Sequence, residues 1–142
     1  MRRAMRLRAE RRQLMTARAD VLAELKRLRL RVPQLTGALA ATADGLVLAS
    51  DTADAESVAA LTAAALGVGV RLTEATGQGS FCELLVRGDR GYVATYAAGS
   101  SAVLTLLAEP RINVGRLHLE ARRSGVRVGE LVDGALERPE NT

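Results

Sequence analysis

Gly37-Ala38-Leu39-Ala40-Ala41-Thr42-Ala43-Asp44-Gly45-Leu46-Val47-Leu48-Ala49-Ser50 carries the strongest fold signal in the chain. Two short apolar runs, Leu35–Thr42 and Leu46–Ser50, flank the pair Asp44-Gly45, which suits a turn that needs positive φ. The spacing predicts a β-hairpin. Both runs are apolar at odd and even positions alike, so both faces of the sheet they begin should be covered.

Upstream, Val21, Leu22, Leu25, Leu28 and Val32 recur at spacings of three and four, which predicts a one-faced helix over Thr16–Val32 stopped by Pro33. Downstream, Asp54 stands where an N-cap belongs, and Ser57 three positions later leaves the capping box incomplete. The helix that follows, over Ala55–Ala75, is crowded with small residues. Gly67 and Gly69 inside it cost about 1 kcal/mol each relative to alanine. Either another backbone approaches closely there or the helix simply tolerates them.

Gly77-Gln78-Gly79 precedes a strand instead of opening a helix, so it reads as a helix end and loop and not as a dinucleotide fingerprint. Three strand-like runs follow, Ser80–Val86, Gly91–Ala97 and Ala102–Leu107, with short glycine-containing connections that predict an antiparallel meander. The uncharged stretch 91–108 reaches the ~18-residue length of a membrane span. Gly99, Ser100 and Ser101 interrupt it where a hairpin would turn, which favours two strands. Val114, Leu117, Ala121, Val128 and Leu131 outline a last helix, and Gly115, Ser124, Gly125 and Gly129 predict a weak point near residue 125.

The fold class is therefore α/β, more narrowly α+β: a five-stranded, mostly antiparallel sheet with helices on both faces, in the order α-β-β-α-β-β-β-α. With 142 residues and 48% hydrophobic content the chain suits one core. We expect a basic, disordered extension over residues 1–15, one domain over 16–137 and a disordered polar tail over 138–142.

Charge is unevenly placed. Residues 1–31 hold eleven Lys/Arg against Glu10, Asp20 and Glu24, a net +8, and the remainder of the chain is −4. The basic start lacks the continuous apolar stretch of a secretory signal. The one cysteine, Cys82, permits no internal disulfide, and a reducing, cytoplasmic setting fits. Phe81, Tyr92 and Tyr96 are the sole aromatic residues, too few for base-stacking platforms.

No catalytic signature assembles. There is no G-x-x-x-x-G-K-[ST], and the single lysine, Lys26, lies within a predicted helix. His118 and Cys82 are each unique and fall on separate elements, too sparse for a metal centre, and Cys82 reads as a small buried hydrophobe. Asp51 and Asp54 flank a helix start, where the helix dipole accounts for them. The expectation is no enzyme, no cofactor and no metal. Arg71, Arg87 and Arg90 are possible partner contacts, or else solvated surface charges.

The hairpin, the alanine-rich helix and the meander, in that order, resemble the Roadblock family, also called the dynein light chain Roadblock type; profilin-like and longin domains share a similar architecture. The resemblance implies a homodimer in which the middle helices pack together and the third strands pair across a two-fold axis. The apolar residues assigned to that interface are Leu61, Ala64, Ala65, Val68, Leu72, Phe81, Leu84 and Leu85. It further implies a regulatory scaffold for a small Ras-like GTPase on a separate chain, often beside a sensor-kinase-type protein. The alternative is an adaptor whose basic residues 2–12 bind anionic membrane or nucleic acid.

Overall fold

The computed structural model describes residues 2–137. Strands β1 (Leu35–Thr42), β2 (Val47–Asp51), β3 (Glu83–Gly88), β4 (Gly91–Ala98) and β5 (Ala102–Ala108) form one sheet in the order β2-β1-β5-β4-β3. Every neighbouring pair is antiparallel. The decisive hairpin is present. Gly45 takes φ 97° and donates its N–H to the Thr42 carbonyl at 3.0 Å, while the Leu46 N–H donates to Thr42 Oγ1 at 3.0 Å. β5 inserts between β1 and β4, from Leu35↔Ala108 to Thr42↔Ala102, so hairpin and meander share one sheet.

Four helices cover it: α1 (Arg2–Thr16), α2 (Arg18–Arg31), α3 (Ala55–Ala75) and α4 (Val114–Glu137). The disorder expected over residues 1–15 is corrected, because Arg2–Thr16 is helical, and the element order gains a helix at its start. Leu14 and the junction residue Ala17 are buried and hold α1 down. Helices α1 and α2 both pack on α4, and α2 and α4 lie on the sheet, making one layer; α3 lies on the opposite face against β1 and β2. Val21, Leu25 and Leu28 of α2 are fully buried in the main core with Leu104 and Leu106 of β5, each worth roughly 1.5–3 kcal/mol in apolar burial.

The weak point predicted near residue 125 is absent, and α4 runs unbroken for 24 residues. Its small residues are its contact face. A Cβ on Gly129 would lie 2.5 Å from the Gly99 nitrogen, and Ser124 Oγ donates to buried Glu24 Oε2 at 2.7 Å. Arg31 bridges the same helix pair, donating to Glu120 at 3.0 Å and to Ser124 Oγ at 2.9 Å.

Three smaller expectations change. β3 begins at Glu83, which leaves Phe81 and Cys82 in the connection, and Cys82 is exposed where a buried hydrophobe was expected. Asp54 sits at φ 53° and makes no side-chain cap to α3. The tail expected over 138–142 lies outside the described residues.

Candidate interaction surface

Helix α3 is apolar along most of its 21 residues, yet only Ala59, Thr62 and Gly69 are buried. Ala59 joins Leu39 and Ala41 of β1 in a small second core. Further along, Thr105 Oγ1 donates to Thr62 Oγ1 at 3.4 Å and lies 3.2 Å from Thr95 Oγ1, so a short hydroxyl chain ties the helix to β5 and β4. Gly69 meets Phe81, whose ring would stand 2.7 Å from a Cβ at that position, whereas Gly67 faces open space. The two helical glycines thus have different reasons, close approach for one and tolerance for the other. The helix ends in a Schellman turn, with the Gln78 N–H donating to the Thr73 carbonyl and the Gly77 N–H to the Glu74 carbonyl.

Away from the sheet, α3 presents Leu61 at 72% exposure, Val68 at 66% and Leu72 at 62%. Exposed Ala64 stands on this row and half-buried Ala65 beside it. From Leu61 to Leu72 the row runs about 16 Å. By length and composition α3 could cross a membrane, but here it lies along a sheet with its apolar row uncovered. A helix hydrophobic on every side ordinarily has cover on every side.

The neighbouring sheet face continues this surface. Leu84 aligns with Thr95, Thr105 and Leu39, and Val86 with Val93, Leu107 and Gly37, so these side chains lie on the α3 side. Val86 and Val93 are exposed. Leu85 points the other way and packs against the main core under α4, which separates it from the rest of the predicted interface set. β3 is a terminal strand of the sheet and pairs in unbroken register on one side only. The other terminal strand, β2, is five residues long and carries a register shift opposite Ala40/Ala41, features that discourage added strands.

The arginines are not gathered. Arg71 is exposed on α3, Arg87 shares the α4 side of β3 with Leu85, and Arg90 occupies the β3–β4 turn.

One cluster escaped the sequence reading. At the start of β3, the Glu83 carboxylate accepts two hydrogen bonds from Arg122 at 2.8 Å each, and His118 Nδ1 stands 3.2 Å from Glu83 Oε2 and 2.7 Å from the Tyr96 hydroxyl. Arg122, then burial acting the other way, then His118 set the Glu83 carboxyl, and the balance holds it below its ordinary value. Burial, with the charge of Glu83 adding to it, pushes the Tyr96 hydroxyl well above the usual tyrosine value, so it stays protonated. The signal was available: His118 and Arg122 are four apart on α4 and therefore share a face. The cluster ties α4 to the edge strand. Cys82 stands beside it, its sulfur 3.6 Å from the Ser80 carbonyl oxygen.

Residues 21–108 match the Roadblock/LC7 domain. The chain belongs to that family. The matched span runs from α2 through β5 and therefore contains the uncovered helix and the free edge. Among solved structures, the Roadblock/LC7 domain from Streptomyces avermitilis is 26% identical, with 75% of this chain and 92% of that one covered at a TM-score of 0.71. Myxococcus xanthus MglB has the same fold at 17% identity, covering 87% and 95% with a TM-score of 0.76. An uncharacterized protein of Methanocaldococcus jannaschii, MJ1340, is 28% identical over 97 residues, 66% of this chain and 84% of that protein. Both α1 and α4 lie outside the matched span of this Roadblock domain.

Proposed function

We propose that this Roadblock domain is a non-enzymatic, cytoplasmic scaffold that forms a homodimer and binds and modulates a small Ras-like GTPase. The observation that carries the reading is the uncovered row Leu61, Val68 and Leu72 beside the one-sided edge of β3. A second copy meets both needs at once, its α3 packing on this α3 and its β3 extending the sheet, in an isologous contact. Leu84, Phe81, Ala64 and Ala65 flank the seam; Leu85 supports it from beneath as a core residue.

Family membership supports the GTPase as partner, and the domain would act by position and charge, with Arg71 and Arg90 the exposed cations nearest that role. Light scattering over a dilution series should give twice the protomer mass, and Leu61→Asp/Leu72→Asp should give single protomers with an unchanged circular dichroism spectrum. Wild-type monomers at every concentration would reject the dimer. Pull-down of the GTPase in its diphosphate and triphosphate states tests the other half, and no retention in either state would reject it.

A further inference from the structure

Fifteen of the twenty Lys/Arg residues lie on α1, α2 and α4, the layer on the far side of the sheet from α3, with seven of the sixteen Asp/Glu, a net +8; the remainder of the chain is −4. Exposure sharpens the contrast. All but Arg29 of those fifteen cations are exposed, whereas the exposed acids of the three helices are Asp20, Glu130 and Glu137. The other four are engaged: Glu24 with Ser124 and Arg31, Glu120 with Arg31, Asp133 with the Ser100 backbone N–H and hydroxyl, and Glu10 with Arg6. Exposed guanidinium groups thus outnumber exposed carboxylates on this layer, although Arg31, Arg116 and Arg122 also make hydrogen bonds within the fold and Arg123 and Arg127 pair with Glu120 and Glu130.

Apolar side chains stand among those arginines. Leu30 of α2 is 83% exposed and Val126 of α4 is 62% exposed, and Leu119 of α4 and Met5 and Leu7 of α1 are also exposed. On α4, Leu119, Arg123 and Val126 fall on one outward stripe at spacings of four and three, opposite the buried stripe of Leu117, Ala121, Ser124 and Val128. On α2, Lys26 and Leu30 share the outward face, four apart.

We propose that the α1/α2/α4 layer is a docking face for an anionic phospholipid bilayer. Guanidinium groups meet lipid phosphates and serine carboxylates, while the interspersed leucine, valine and methionine side chains enter the boundary between headgroups and acyl chains. An extended polyanion without an apolar phase would gain nothing from the exposed leucines, and the layer offers nucleic acid no aromatic platform. The face goes beyond the basic residues 2–12 by drawing in two further helices. It does not depend on what covers α3, since the sheet separates the two.

The test is co-sedimentation of the full chain with vesicles of phosphatidylcholine, alone or with about one-third phosphatidylserine. Binding to the anionic vesicles alone, lost between about 0.05 and 0.5 M NaCl, is the expected result. At roughly fivefold per basic residue, Arg8→Glu/Arg11→Glu/Arg123→Glu/Arg127→Glu should weaken it more than about a hundredfold. Leu119→Ser/Val126→Ser, which leaves the charges in place, should weaken it severalfold. Leu61→Asp/Leu72→Asp on α3 should retain binding per protomer, so loss of the dimer and loss of the lipid face read out separately. Equal binding to neutral vesicles, retention by the four-arginine variant, or capture of duplex DNA without capture of vesicles would each overturn the proposal.

Discussion

The two faces of the sheet are covered by helices of nearly equal length and opposite logic. α4 has 24 residues, eight of them buried along one stripe, with charged residues and the exposed Leu119 and Val126 on the other; α3 has 21 residues, three of them buried, and is the more apolar of the two. Apolarity and burial run in opposite directions within one chain. The buried stripe of the amphipathic helix has its cover inside the protomer. The uniformly apolar helix is covered on one side only, so its remaining sequence makes physical sense in an assembly.

Truncating one leucine on each face separates the two helices most directly. Leu117→Ala on α4 removes a fully packed side chain and should cost about 2–5 kcal/mol in urea unfolding. Leu61→Ala on α3 should change the stability of the isolated protomer by less than about 0.5 kcal/mol, while raising the dimer dissociation constant in a dilution series. Equal losses from the two substitutions would mean that α3 is buried in the protomer after all.

Glycines sharpen the contrast at smaller scale. Gly129→Ala drives a methyl into the backbone of Gly99 and should destabilise by about 1–3 kcal/mol. Gly67→Ala adds a methyl to open space within a helix and should stabilise by about 1 kcal/mol. Thermal unfolding in the Leu61→Asp/Leu72→Asp background reads both without interference from association. Opposite signs for the same chemical change are what distinguish a covered face from a free one.

Much of this layout was legible in the sequence because it depends on periods and turns. The hairpin at Asp44-Gly45, the meander and the extents of α2 and α3 follow from spacing that neighbours in the chain determine. What was hidden depends on neighbours in space. Gly125 and Gly129 weaken an isolated helix, and only the sheet beneath α4 makes them contact residues. α1 has too thin an apolar stripe to announce itself; Leu14 and Ala17 count because α4 is there to receive them. In the candidate surface, Leu61, Val68 and Leu72 were readable as a row. The face taken by Leu85 and the gathering of Glu83, His118, Arg122 and Tyr96 required the β3–β4 register.

That gathering gives a pH test of the α4 side. Glu83 has its carboxyl lowered in the folded protein, chiefly by Arg122, so its contribution to stability is complete above the unfolded carboxylate value and is lost as pH falls through the folded one. Urea midpoints measured from pH 6 down to about 3 should therefore fall more steeply for the wild type than for Glu83→Gln, with the curves converging at the acid end. Parallel curves would remove Glu83 from the account of how α4 holds the edge strand.

The smallest stability effects belong to the exposed arginines, and their smallness is what makes them useful. Arg71→Ala and Arg87→Ala remove cations on opposite sides of the sheet, and each should shift the unfolding midpoint by no more than about 0.5 kcal/mol. Any loss of partner binding can then be assigned to the surface and not to folding. If the working surface for a partner protein lies on the α3 side, Arg71→Ala should weaken GTPase capture while Arg87→Ala leaves it unchanged. A larger loss from Arg87→Ala would place the partner across the β3 edge on the α4 side, and the division of labour between the two faces would have to be redrawn.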